Sequence, residues 1–357
     1  MRGEAIYSLG AQITNFILFW NKFWSGLPSN TAGRQWLIRV IGERANNFNG
    51  RDGAMEGNSA TDIKRPIPAA FTYAENYIDL YGSRLHYLDV GTGDPFLFLH
   101  GNPTWSYCWR NVIPYLEPLG RCIAPDFIGF GKSDHPDIEY RIFDQIRYIE
   151  EFVVQLDLRN ITLVIHDWGA LVGLNLARRF PERIRAVAFC EFPVKPLGTL
   201  EETWPLIAEE FAKFRSPELG PELLMGQNLI VESAIPAVTV RKLSEEEMNY
   251  YRAPFPNWES RRAMARLPRD WSFAGDPIDT DWVIAKYSEW LKRSPIPKLL
   301  IHATPGLFVT PENAVWAASN FKNIDTLDLG PGIFMLMEDN PHEMGEGIVK
   351  WFKSKVA

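Results

Sequence analysis

Asp167 ends an apolar, β-branched run, Ile161-Thr162-Leu163-Val164-Ile165-His166, and heads a helix-forming one, Trp168-Gly169-Ala170. The first run predicts a strand and the second a helix, so a sharp turn must join them with the acid at its tip. Such a turn lifts one side chain clear of a sheet and aims a backbone N–H at developing negative charge. A carboxylate held there attacks carbon and forms an ester, which suits alkyl halides or epoxides better than peptides. The other use of an Asp at this place is as N-cap of the helix opened by Trp168.

Further elements must position partners for that acid. Pro95-Phe96-Leu97-Phe98-Leu99 reads as a buried strand and runs into His100-Gly101-Asn102-Pro103-Thr104-Trp105. Arg121-Cys122-Ile123-Ala124-Pro125-Asp126 is another short strand, leading into a Gly-containing turn at Phe127 to Ser133. Alternating strands and helices predict an α/β class with a mostly parallel sheet. The strand, turn and helix around Asp167 have the form of the nucleophile elbow of α/β-hydrolases. In that fold the loop after the third strand supplies a second N–H, so the Asn102 and Asp167 turns would face one cavity.

With these motifs the chain resembles the haloalkane dehalogenases, in the subfamily with an Asp nucleophile, a His base and a Glu that orients it. The likeness covers roughly residues 70 to 357. It implies an α/β-hydrolase fold with an inserted helical cap, and it matches Asp167 to the nucleophile. Asn102 and Trp168 match the two side chains that donate N–H groups to the departing halide. Glu191, which ends the apolar run Arg185-Ala186-Val187-Ala188-Phe189-Cys190, matches the acid that orients the base. Without the resemblance, Asn102 is a turn former, Trp168 a packed indole and Glu191 a solvated strand-end acid.

The base is missing. The family carries it in a segment of the form Gly-Pro-Gly-x-His-x-x-x-Glu-Asp-Asn-Pro. Here Gly330-Pro331-Gly332-Ile333-Phe334-Met335-Leu336-Met337-Glu338-Asp339-Asn340-Pro341 sets Phe334 at the His position. Phe can neither take a proton from water nor hydrogen-bond to Glu191. Of the six histidines, His86, His100, His135, His166 and His302 read as structural, His166 because it alternates away from Asp167 along its strand. His342 follows Asn340-Pro341 and starts the final helix. The resemblance then implies that Asp167 displaces a halide and is left as an alkyl ester. Without a general base, worth roughly 10²–10⁴ in rate, that ester should accumulate, so the chain alkylates itself once and turns over poorly. Glu191 is left without a partner and is expected to be protonated or hydrated.

Two other functions stay open. Coelenterazine-using luciferases resemble the same family and share the Asp, Trp and Asn arrangement, so a luciferase-type monooxygenase is one. A non-catalytic ligand-binding protein that keeps the pocket is the other. Epoxide hydrolysis is disfavoured because Asn102 suits a halide site.

Residues 1–70 are expected to form an extension and linker, 71–195 the first part of the core, 196–274 the cap, and 275–357 the rest of the core. The cap contains Trp204-Pro205-Leu206-Ile207-Ala208-Glu209-Glu210-Phe211-Ala212-Lys213-Phe214, a one-sided apolar pattern that predicts a helix. Phe211 and Phe214 are candidates for lining a substrate cavity, or they pack cap on core. An apolar cavity favours a small halogenated hydrocarbon as substrate. A net charge of −7 argues against a nucleic-acid partner. The three cysteines, Cys108, Cys122 and Cys190, lack metal spacing and fit a reducing, cytoplasmic setting as small apolar groups. No Gly-rich phosphate loop or Cys/His cluster is evident in the sequence, so no cofactor or metal is expected. The apolar stretch Ile13 to Trp20 is too short to span a membrane. With Asn21-Lys22-Phe23-Trp24 it reads as an interfacial amphipathic helix with membrane contact, a targeting segment, or a helix packed on the main domain. Asn46 to Lys64 reads as a linker.

Overall fold

The computed structural model describes residues 65–356, apart from 205 and 206. The readings of residues 1–64 as an extension, an amphipathic or targeting helix and a linker lie outside the described residues. Eight strands form one sheet: β1 (Asn76–Leu80), β2 (Ser83–Val90), β3 (Pro95–Leu99), β4 (Arg121–Pro125), β5 (Ile161–His166), β6 (Ile184–Cys190), β7 (Lys298–Pro305) and β8 (Ile324–Gly332). Their spatial order is β1-β2-β4-β3-β5-β6-β7-β8. The β1/β2 and β2/β4 pairs are antiparallel and every later pair is parallel.

Every residue of β3 and β5 is buried. Continuous apolar runs are what a parallel sheet covered on both faces requires. The strand order reverses between β3 and β5, which pair from Phe96↔Thr162 to Leu99↔Ile165. At such a switch point the loops leaving the carboxyl ends of two strands diverge and open a crevice. The His100–Trp105 loop and the Asp167 turn both lie there. Helix Trp168–Arg179 is buried from Trp168 to Ala177 and packs against helices Ile142–Gln155 and Ile278–Arg293. Its glycines permit close contact with the sheet: a Cβ on Gly169 would strike the carbonyl oxygens of Leu99 and His100.

Between β6 and β7 lies a helical insertion with helices Leu200–Thr203, Ala208–Arg215, Glu245–Arg252 and Arg262–Arg266. Two of them start on capping boxes, Thr199 with Glu202 and Ser244 with Glu247, which satisfy orphan N–H groups at the first turn. The helix expected across Trp204 to Phe214 begins at Ala208, because the Trp204 N–H closes the preceding helix on the Leu200 carbonyl at 2.8 Å. The three cysteines are buried and free. Among the described residues no helix is long and apolar enough to cross a membrane, and no group of His, Cys, Asp or Glu is placed to hold a metal.

Candidate active site

Asp167 sits at φ +54°, ψ −129°, just past the end of β5. A non-Gly residue with positive φ is strained and persists only where its surroundings fix it. Here they do so directly: Oδ2 accepts the Asn102 backbone N–H at 2.8 Å, and the carboxylate also accepts the Trp168 backbone N–H. A Cβ on Gly101 would collide with that carboxyl group, so the loop after β3 needs glycine at this position to reach the acid. The side chain makes no N-cap bond to the helix that follows it. Burial raises the Asp167 carboxyl to about 7, with the two backbone N–H groups offsetting part of the effect. No cation contributes to that balance.

Asn102 donates from Nδ2 to the Met264 carbonyl at 3.1 Å, which ties the loop to the insertion and leaves its second amide hydrogen available. The Trp168 ring lies 4.2 Å from that of Trp271, tilted by 40°. Trp271 is stacked on Phe308 at 4.6 Å and meets Phe192 at 5.0 Å, and Trp204 meets Phe308 at 4.6 Å. These rings build an apolar wall beside the carboxylate. Trp271 and Phe308 were not legible as wall residues, since each stands in an irregular stretch with no periodicity to assign it a face, and Trp204 was read only as part of a helical pattern. Phe211 joins the cluster one ring further out, 4.9 Å from Trp204, and Phe214 lies beyond it at 6.2 Å from Phe211.

Glu191 follows β6 at φ +45° and is completely buried. Its Oε2 accepts N–H groups from Leu307 at 3.0 Å and Phe308 at 2.9 Å. Its Oε1 is buried with no hydrogen-bond partner. Burial raises this carboxyl to about 8 against the backbone N–H groups of Phe308, Leu307 and Val309, and the nearby Asp167 charge adds to the rise.

Phe334 is 8% exposed, packed 4.6 Å from the His166 ring and 6.3 Å from Phe308. Its carbonyl is bonded to His166 Nε2 at 3.0 Å, which places the ring proton on that nitrogen and leaves Nδ1, buried and without a partner, as the basic atom. Desolvation lowers His166 to about 3, so it is neutral. His166 thus acts as a strut for the main chain at residue 334, a contact that strand alternation alone does not reveal. His342 lies in the first turn of helix Pro341–Lys355 and bonds to the Tyr115 hydroxyl at 2.8 Å. A surface cleft of about 560 Å³ lies elsewhere, beside Ile67, Arg241 and Glu247, and includes none of Asp167, Asn102 or Trp168 in its lining.

Two carboxyl groups, two backbone donors and an aromatic wall at the switch point of a mostly parallel sheet define the class. The α/β hydrolase fold is matched over residues 94–338, and the chain belongs to that family. Among known relatives, a haloalkane dehalogenase of Mesorhizobium japonicum is 40% identical over 294 residues, covering 82% of this chain and 95% of the relative. One from Bradyrhizobium diazoefficiens is 40% identical over 283 residues, covering 76% and 91%. The crystal structure of the haloalkane dehalogenase DbeA from Bradyrhizobium elkani has a TM-score of 0.77 at 38% identity, covering 79% of this chain and 98% of that one. DatA from Agrobacterium tumefaciens gives 0.76 at 34% identity, covering 81% and 99%. Within the α/β-hydrolases this chain is thus a member of the haloalkane dehalogenase family, and it is a hydrolase.

Proposed function

We propose that the chain cleaves the carbon–halogen bond of small halogenated hydrocarbons through an ester on Asp167, and that Phe334 arrests it at that ester. Oδ2 of Asp167 accepts the Asn102 backbone N–H and the carboxylate also accepts that of Trp168; in this reading Oδ1 is the oxygen that attacks. Its electron pair forms the new C–O bond as the C–halogen pair leaves with the halide. The Asn102 amide and the Trp168 indole receive the halide as its charge develops, donors of the kind that supply the largest electrostatic term in catalysis. The helical insertion between β6 and β7, residues 196–274, acts as a cap that keeps water from the site.

Hydrolysis of the ester requires a water to add to the former carboxyl carbon, with Oδ2 becoming the oxyanion. The Asn102 N–H, which bonds to Oδ2, would stabilise it. What is lacking is a group to take the water proton. The observation that carries this reading is Glu191 Oε1, buried and without a partner where the orienting acid of a His base belongs. His166 does not substitute, because its Nε2 is committed to the Phe334 carbonyl and its basicity is strongly depressed. The test is peptide mapping of the chain after exposure to a primary bromoalkane. The adduct should fall on Asp167 and vanish in Asp167→Asn; an adduct on another residue, or one that survives the substitution, would overturn the assignment.

A further inference from the structure

Residue 334 is held in space by its main chain. Its N–H donates to the Val238 carbonyl at 3.2 Å, and the Met335 N–H donates to the same oxygen at 3.3 Å. Both donors reach into the helical insertion. Four residues on, the chain is fixed to the same stretch again: the Arg241 N–H donates to Asp339 Oδ1 at 2.9 Å, and Arg241 Nε to the Glu338 carbonyl at 2.5 Å.

Behind these contacts lies a cluster of two guanidinium groups and two carboxylates. Glu338 is completely buried and accepts Arg110 through Nη1 at 2.5 Å and Nη2 at 2.9 Å, with Arg241 Nη2 and the Tyr251 hydroxyl as further donors. Glu247 accepts Arg110 Nη2 at 2.9 Å, Arg241 Nη2 at 2.5 Å and Arg241 Nη1 at 3.0 Å. Two guanidinium groups and two carboxylates balance. Arg110, Glu247 and Glu338 are buried, so removing one of them would leave an uncompensated buried charge, and the set behaves as one unit. Three of its five polar members, Arg241, Glu247 and Tyr251, belong to the insertion; Arg110 follows the Asn102 loop, and Glu338 belongs to the segment that carries residue 334.

We propose that Glu338, with Tyr251 and the Arg110, Arg241 and Glu247 charges, is a positioning network that sets the place of residue 334 relative to Asp167 by docking its segment on the insertion. The proposal rests on the functional reading above, since it assigns position 334 to the ester-hydrolysing step. The Asn102 loop depends on the network less. Its Gly101 N–H bonds to Thr104 Oγ1 at 3.1 Å and its Asn102 N–H bonds to Asp167, while its ties to the insertion, Asn102 Nδ2 to the Met264 carbonyl and Trp105 Nε1 to the Tyr250 carbonyl, involve none of the charged groups or the Tyr251 hydroxyl. A fault in the network should therefore fall on hydrolysis and spare alkylation.

The experiment uses full-length Phe334→His chain, which supplies the base, alone and with Tyr251→Phe or Glu338→Gln added. Quenched-flow intact mass spectrometry with a primary bromoalkane reads formation and loss of the adduct separately. Displacements on the ångström scale cost reacting groups about 10²-fold, so each added substitution is expected to slow adduct loss by about 10-fold or more while formation changes by less than about 2-fold. Tyr251→Phe keeps all four charges and removes only a hydroxyl, so it decides the matter if Glu338→Gln does not fold. Formation and loss slowing together, or adduct loss unchanged in Tyr251→Phe, would overturn the positioning role. Phe334→His that forms adduct but never loses it would overturn the functional reading and this inference with it.

Discussion

Glu191→Gln is expected to stabilise the folded chain by an amount that grows as pH rises. Glu191 is wholly buried, its Oε1 lacks a partner, and burial raises its carboxyl from 4.5 to about 8. Between those two values the folded chain retains a proton that the unfolded chain has released. Stability contributed by this group is therefore highest below the unfolded value, falls as pH rises across the window, and is constant again above the folded value. At 1.36 kcal/mol per unit, the shift from 4.5 to about 8 amounts to about 5 kcal/mol. That is a large share of an ordinary folding free energy of about 5–15 kcal/mol. Gln has no such proton, so the stability difference between the Gln and Glu chains should widen by about that amount from mildly acid to mildly alkaline pH. Urea unfolding across that range, with equal m-values as the check on two-state comparison, measures it. A difference that does not change with pH would refute the account of Glu191 as a buried acid whose Oε1 lacks a partner.

Phe334→His should accelerate loss of the Asp167 adduct by about 10²–10⁴, the usual worth of a placed general base, and halide released per chain should then climb with time; halide release that still stops after one equivalent would contradict this. Adduct formation in the unmodified chain should rise with pH and level off above about 7, because Asp167 attacks only as the carboxylate and burial raises it to about 7; a flat profile across that range would count against Asp167 as nucleophile. Asn102→Ala should slow adduct formation by about 10²–10³, the cost of losing one charge-directed donor, with little effect on adduct loss. Gly101→Ala should abolish adduct formation, since its methyl would strike the Asp167 carboxyl group, and an active Gly101→Ala chain would show that the loop and the acid are further apart than described.

Much of the scaffold was legible because the physics that builds it is local. The strand ending at His166 and the helix starting at Trp168 follow from an apolar run interrupted by one acid, and the observed elements, β5 at Ile161–His166 and the helix at Trp168–Arg179, keep those bounds. The adjacency of Asn102 and Asp167 followed from two loops at the carboxyl ends of strands, and the bond between them is part of the structure. The aromatic wall was less legible. Trp271, Trp204 and Phe308 are distant in sequence and become neighbours only through packing. The late start of the helix at Ala208 was hidden because the apolar pattern from Trp204 gives no sign that the Trp204 N–H already closes the preceding helix on the Leu200 carbonyl. The charge network around Glu338 was invisible for a related reason: Glu338, Glu247, Arg110 and Arg241 lie far apart in sequence, and only the fold brings them against one another.

The most direct measurement is the ratio of halide released to alkyl groups retained when the unmodified chain is exposed to a primary bromo- or chloroalkane. Intact mass and ion chromatography on the same sample give both quantities. An arrested ester predicts one halide and one stable alkyl group per chain, with the count unchanged on longer incubation. Halide rising well past one per chain without a retained adduct would contradict the arrest at Phe334, and neither halide nor adduct would contradict carbon–halogen cleavage at Asp167 altogether.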